Sequence, residues 1–210
     1  MKRTASFCGR RLMTSALFLM FALASALAGC AGQQATITPT VVVENETLGH
    51  NVEVSTTVRD ARSQPVVGKC NPNSTMSGKL TVACDPAPAI RAVVERGLHE
   101  KGFSPAAARE SVVRSLTVEL TDLTYSGTQE GDRLIAKAVA VLSVTADNNG
   151  QTMKRTYTGD IVWKLSGDNI EPEFDKLLSQ AVSKAVSQLS SDYELIHFLE
   201  KTILRTRDIK

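Results

Sequence analysis

The residues best placed to do chemistry in this chain are thiols. Cys30 follows Leu27-Ala28-Gly29 at the end of an uncharged, mostly apolar run from Leu12 to Ala28. Small side chains at Ala28 and Gly29 let the backbone lie extended in a peptidase cleft, and only a thiol there is nucleophilic enough to take a lipid. Lys2, Arg3, Arg10 and Arg11 stand ahead of the run. That order of charge, apolar run and small residues is an export signal, and its 17 residues fall short of the roughly 20 that a spanning helix uses. Cys8 leaves with the signal, so Cys70 and Cys84 remain as an even pair in an oxidising compartment. Their 13 intervening residues do not fit a CxxC redox site. A structural disulfide closing the turn-rich loop is expected instead, contributing about 3 kcal/mol.

Leu27-Ala28-Gly29-Cys30 resembles the lipobox of bacterial lipoproteins, in which the cysteine is acylated and becomes the first residue of the mature chain. Residues 1–29 are then signal peptide, 30–36 the lipidated cysteine and a short tether, and 37–210 a single periplasmic domain. By resemblance to Gram-negative sorting, Ala31 in place of Asp after the lipidated cysteine favours the outer membrane over the inner one. The signal also holds every charge before position 44. The precursor carries 24 basic and 22 acidic residues, so its formal charge of +2 becomes −2 once residues 1–29 are gone. With so few aromatic residues among the basic ones, nucleic acid is excluded as a partner.

Beyond the thiols, nothing is spaced for catalysis. His50, His99 and His197 fall in three different elements, and no HExxH, GxSxG, SxxK or phosphate-cradling glycine loop is present. Asp147-Asn148-Asn149-Gly150 lacks the pattern of a calcium loop and reads as a hairpin turn. Glu119, Asp122 and Glu130 suit solvated strand and turn positions as well as any carboxylate cluster. The cations Lys201, Arg205, Arg207 and Lys210 favour a helix C-terminus, or could meet lipid headgroups or peptidoglycan. The expectation is a non-enzyme with no metal and no cofactor.

The elements that must carry these residues are legible from periodicity. Ile37 to Val43 and His50 to Val58 read as strands, and residues 59–84 as a punctuated stretch holding a short hairpin. Asp85-Pro86 opens a helix that runs to Lys101 and ends at Gly102. Ile90, Val93, Val94, Gly97 and Leu98 form its buried stripe, with Gly97 suggesting close approach to a sheet. Ser111–Thr124, Arg133–Ala146 and Gln151–Leu165 form a β-meander, with a seven-residue turn from Ser126 to Asp132. Asp168 or Asn169 then caps a helix carrying Phe174, Leu177, Leu178, Ala181, Val182, Ala185, Val186 and Leu189. Ser190-Ser191-Asp192 breaks it before a shorter helix with Tyr193, Ile196 and Leu199. The fold class is α+β, an antiparallel meander with amphipathic helices packed on one face.

This order resembles the YajG-like family of bacterial lipoproteins over essentially the full chain. The carrying segments are the lipobox, Ile37-Thr38-Pro39, Leu98-His99-Glu100-Lys101-Gly102-Phe103 and Ile196-His197-Phe198-Leu199-Glu200-Lys201. The Cys70–Cys84 segment departs from the family pattern. The resemblance implies a membrane-attached periplasmic lipoprotein and transfers no catalytic or ligand-binding residue. The expected role is a binding or accessory module in envelope assembly or maintenance. Its partners would be the membrane through the lipid, and envelope proteins, peptidoglycan or lipid. The alternative is a small-ligand or lipid carrier, or an auxiliary component of an envelope transport system, with a groove between sheet and helices.

Overall fold

A computed structural model describes residues 32–43, 48–70, 78–107, 112–166 and 172–201. Cys30 and the signal lie outside them, as do Asp168 and Asn169, the expected helix caps, and Arg205, Arg207 and Lys210.

The meander is the backbone of the fold. Strand β6 (Arg114–Glu130) pairs antiparallel with β7 (Arg133–Asn148), which pairs antiparallel with β8 (Gln151–Ser166). Along β7, every second residue from Leu134 to Asn148 is buried, which is the period-two signature of a strand with one covered face. The seven-residue turn expected at Ser126–Asp132 is shorter in the structure. Pairing continues to Glu130 opposite Arg133, leaving Gly131 and Asp132 as the loop, with Gly131 at φ +63°. Polar residues mark the tip of this ribbon, and ladder bonds hold it regardless of side-chain polarity.

The sheet is mixed where an antiparallel one was expected. Strand β2 (Glu53–Asp60) lies parallel to β6, and the short β5 (Ser104–Ala106) parallel to β2, in the order β5-β2-β6-β7-β8. A second sheet, unforeseen apart from its hairpin, has the order β1-β4-β3. It comprises β1 (Gln33–Ala35), β3 (Val66–Lys69) and β4 (Lys79–Val82).

Helices cover one face. Helix α1 (Ala87–Glu100) begins where the Asp85 carboxylate accepts the Ala87 amide at 2.9 Å. It ends in the two bonds of a Schellman motif, Phe103 N to Leu98 O and Gly102 N to His99 O, with Gly102 at φ +85°. Helix α2 (Phe174–Ser191) buries its predicted apolar positions, and α3 (Tyr193–Glu200) starts where Asp192 Oδ1 accepts the Leu195 amide at 3.1 Å. The close approach expected at Gly97 is made to a helix and not to a sheet. A Cβ at Gly97 would collide with the Ser190 hydroxyl of α2.

Candidate functional site

Helix α2 is the hub. One side rests on the sheet so closely that a Cβ at Gly159 of β8 would overlap the Ala181 carbonyl oxygen and stand 2.8 Å from the Ala185 nitrogen. Ala140, Gly159's partner on β7, is fully buried under the same helix layer. Small residues here bring backbone against backbone and close the layers at this crossing.

The opposite side of α2 holds the segment expected as a strand from Ile37 to Val43. This segment is extended, with Ala35, Ile37 and Pro39 buried and Thr36, Thr38 and Thr40 exposed, but residues 36–43 join no sheet. Its amides donate to helix side chains instead: Thr36 to Asp175 Oδ1 (3.2 Å), Thr38 to Ser179 Oγ (2.9 Å), Thr40 to Ser183 Oγ (2.9 Å) and Val42 to Ser187 Oγ (3.3 Å). Ser183 in turn donates to the Ser179 carbonyl at 2.7 Å. Four acceptors spaced four residues apart on the polar stripe of a helix substitute for a neighbouring strand. The signal was present in Asp175, Ser179, Ser183 and Ser187, which periodicity of the apolar residues alone overlooks.

Where this strap begins, a shallow depression of about 490 Å³ is lined by Gln33, Gln34, Glu173, Phe174, Asp175 and Lys176. The Lys176 ammonium sits 5.7 Å from the Trp163 ring centroid and 3.5 Å from Glu173. Phe174 meets Tyr125 edge-on at 4.9 Å. Burial, with the Cys70 thiol adding to it, pushes the Tyr125 hydroxyl above its ordinary pKa.

The sequence-predicted thiol pair does not close. Cys70 and Cys84 are both free. The register explains it: the Cys70 amide donates to Gly78 O, whereas Val82, two residues before Cys84, donates to Pro65 at the other end of the hairpin. Four residues of strand from Gly78 to Val82 span about 13 Å, and a disulfide tolerates about 7 Å between Cα atoms.

Two of the three histidines come together. His50 Nε2 lies 3.6 Å and His197 Nδ1 3.2 Å from the two oxygens of Glu200, and Tyr193 stacks on His197. His99 is exposed. Among the described residues no three His, Cys, Asp or Glu side chains are grouped to hold a metal ion. Glu119 pairs with Arg59, its oxygen 2.6 Å from Nε, while Asp122 faces Val141 and Glu130 ends the strand, so these carboxylates do not converge. Asn148, read as a turn residue, is fully buried and caps α3, donating to Phe198 O at 2.6 Å and Lys201 O at 2.8 Å. Tyr157 donates to Asp192 Oδ2 at 2.7 Å, and burial followed by that carboxylate drives its pKa far upward. Asp60 is held below the usual carboxylate range by Arg62, which grips both its oxygens at 2.9 and 2.7 Å. The shifts thus stabilise resting protonation states: neutral tyrosines and an ionised aspartate. Among the described residues no helix is long and apolar enough to cross a membrane.

An antiparallel meander with helices packed against one face defines an α+β domain. The chain belongs to the Lipoprotein_16 family, described as uncharacterized lipoprotein, whose model matches residues 39–200. Membership carries anchoring to a membrane through lipid. Among solved structures, a Xanthomonas campestris protein of the DUF330 family shares the fold at 12% identity and TM-score 0.50, over 80% of this chain and 95% of its own. A minor lipoprotein from Acinetobacter baumannii is similar at 9% identity and TM-score 0.36, over 67% of this chain and 90% of its own. No curated protein matches.

Proposed function

We propose that the protein is a non-enzymatic lipoprotein, acylated at Cys30, that faces the periplasm from the outer membrane and serves as a binding or accessory module in envelope assembly or maintenance. Ala31 after the acylated cysteine supports the outer membrane, and the YajG-like segment order supports the envelope role. The observation that favours a binding module over a carrier is the contact at Gly159 and Ala181, where helix and sheet backbones meet and close the space between the layers at that crossing. The outward face of the sheet carries Thr158, Val162 and Lys164 of β8, all exposed and free of any covering helix. A partner that grips this face is captured by a photo-crosslinker at Thr158 or Val162 in intact cells. The same crosslinker at Arg96, on the exposed side of α1, captures nothing specific. A discrete protein or glycan adduct at the sheet positions supports the reading. A stoichiometric apolar ligand co-purifying with the unlabelled protein would overturn it in favour of a carrier.

A further inference from the structure

We infer that the end of the domain bearing β1, the start of α2 and Trp163 lies directly against the membrane surface and is held there by anionic headgroups. The inference rests on acylation at Cys30. Gly32, the first described residue, packs against Lys79 of β4, where a Cβ would stand 2.7 Å from the Lys79 carbonyl oxygen. Cys30 is two residues further back, a reach of about 7 Å at most. The strap bonded to α2 takes up the chain immediately after β1, so no slack follows either. This end is therefore confined within about one Debye length of the headgroups, about 8 Å at physiological ionic strength.

What stands at that end fits an anionic surface. Lys69 and Lys79 are exposed and directly opposite each other across β3 and β4, a like-charge pairing that is unfavourable by itself. Neither makes an ion pair among the described residues. Lys176 lies over the Trp163 ring on the helix-covered face of β8, and Lys164 is exposed on the opposite face of the same strand end. Tryptophan and lysine together are the pair that favours a membrane interface, the ring at headgroup depth and the ammonium toward phosphate. Acidic groups temper this charge: Glu173 is paired with Lys176, Asp175 accepts the Thr36 amide, and Glu130 and Asp132 stand with Arg133 at the nearby tip of the meander, leaving Lys69, Lys79 and Lys164 as the cations not paired there. The opposite end, at Tyr193, is removed by the length of α2, about 27 Å, and feels almost none of the surface potential.

Trp163 is the sole tryptophan of the chain, so its fluorescence reports this end alone. The acylated full-length protein is reconstituted into phosphatidylethanolamine–phosphatidylglycerol vesicles carrying headgroup nitroxides. About half of the Trp163 emission should be quenched, while a Trp163→Phe/Tyr193→Trp variant, about three Debye lengths away, keeps nearly all of its emission. Shielding of wild-type Trp163 from aqueous iodide on reconstitution gives the same answer without a variant. Lys69→Glu with Lys79→Glu should remove the contrast on anionic vesicles. Equal quenching at the two ends, or stronger quenching at position 193, overturns the inference while flotation with the vesicles leaves the anchor standing. Failure to float overturns the anchor and the inference together. Unchanged contrast in the double-glutamate variant overturns the role of the lysines.

Discussion

Replacing Gly159 by Ala tests the architecture in one atom. A strand glycine with an ordinary backbone gains about 0.4–1 kcal/mol from such a change, because the unfolded chain loses freedom. In this fold the added methyl would overlap Ala181 O and approach the Ala185 nitrogen to 2.8 Å. Carbon contacts settle near 3.5 Å, so α2 must lift by at least about 0.7 Å. A gap of that size forfeits about a quarter or more of the dispersion energy of the side chains facing the sheet. Leu178, Val182 and Ala185 are fully buried there. At about 1 kcal/mol for each larger side chain, plus the strain of the overlap, the loss comes to about 3 kcal/mol, the top of the usual overpacking range. Urea unfolding followed by Trp163 emission should show the midpoint falling by about 1.5 M for a slope near 2 kcal/mol/M. The sign decides the matter: a variant as stable as wild type, or more so, refutes the direct seating of α2 on β8.

Three further outcomes follow from the same structure. Ser179→Ala with Ser183→Ala should speed amide hydrogen exchange at Thr38 and Thr40 and cost about 1 kcal/mol or a little more, since two amides lose acceptors; unchanged protection at both amides would show the strap to be held by its buried side chains alone. Peptide mapping without reductant should find no Cys70–Cys84 link, and a recovered link would require the β3–β4 register to be wrong. Asp60→Asn leaves the Arg62 side chain, 7% exposed, without its counter-charge and should cost about 1–3 kcal/mol at pH 7. Because the folded pKa of Asp60 is depressed, its contribution is present above the unfolded pKa and lost as pH falls through the folded value. The gap between Asp60→Asn and wild type should therefore narrow in acid, and a gap independent of pH would count against the ion pair as its source.

Helices α1, α2 and α3 were legible in the sequence because each writes its own signal within one stretch: apolar positions at helical spacing, Asp85-Pro86 at a start, Gly102 at an end, and Asp192 as a break. Strands β6, β7 and β8 were legible as alternation, but the reach of β6 to Glu130 was not, since a ladder bond ignores the side chains that mark a turn. The parallel insertion of β2 beside β6 pairs Ser55 with Ser115 across sixty positions, and neither segment names its neighbour. Ile37–Val43 shows the same blindness more sharply: its alternation was real, but a strand pattern does not say whether the partner is a strand or a row of serines. The site fared similarly. His50 and His197 are far apart in sequence and meet only through Glu200, whereas the Cys70–Cys84 pairing, plausible from spacing, fails on register.

The strap on α2 is a vernier. Its amides repeat every two residues, about 6.6 Å, whereas the acceptors on the helix repeat every four, about 6.0 Å. The two scales coincide at the middle rungs, both 2.9 Å, and drift apart at the outer ones, 3.2 and 3.3 Å. Pro39 fixes the phase. It sits between the donors at Thr38 and Thr40, and a slip of one residue would place on a rung the one residue there with no amide hydrogen to give. The entering chain is thereby held against a one-residue slip, and its register on the helix sets how many residues lie between the first rung and the N-terminal anchor.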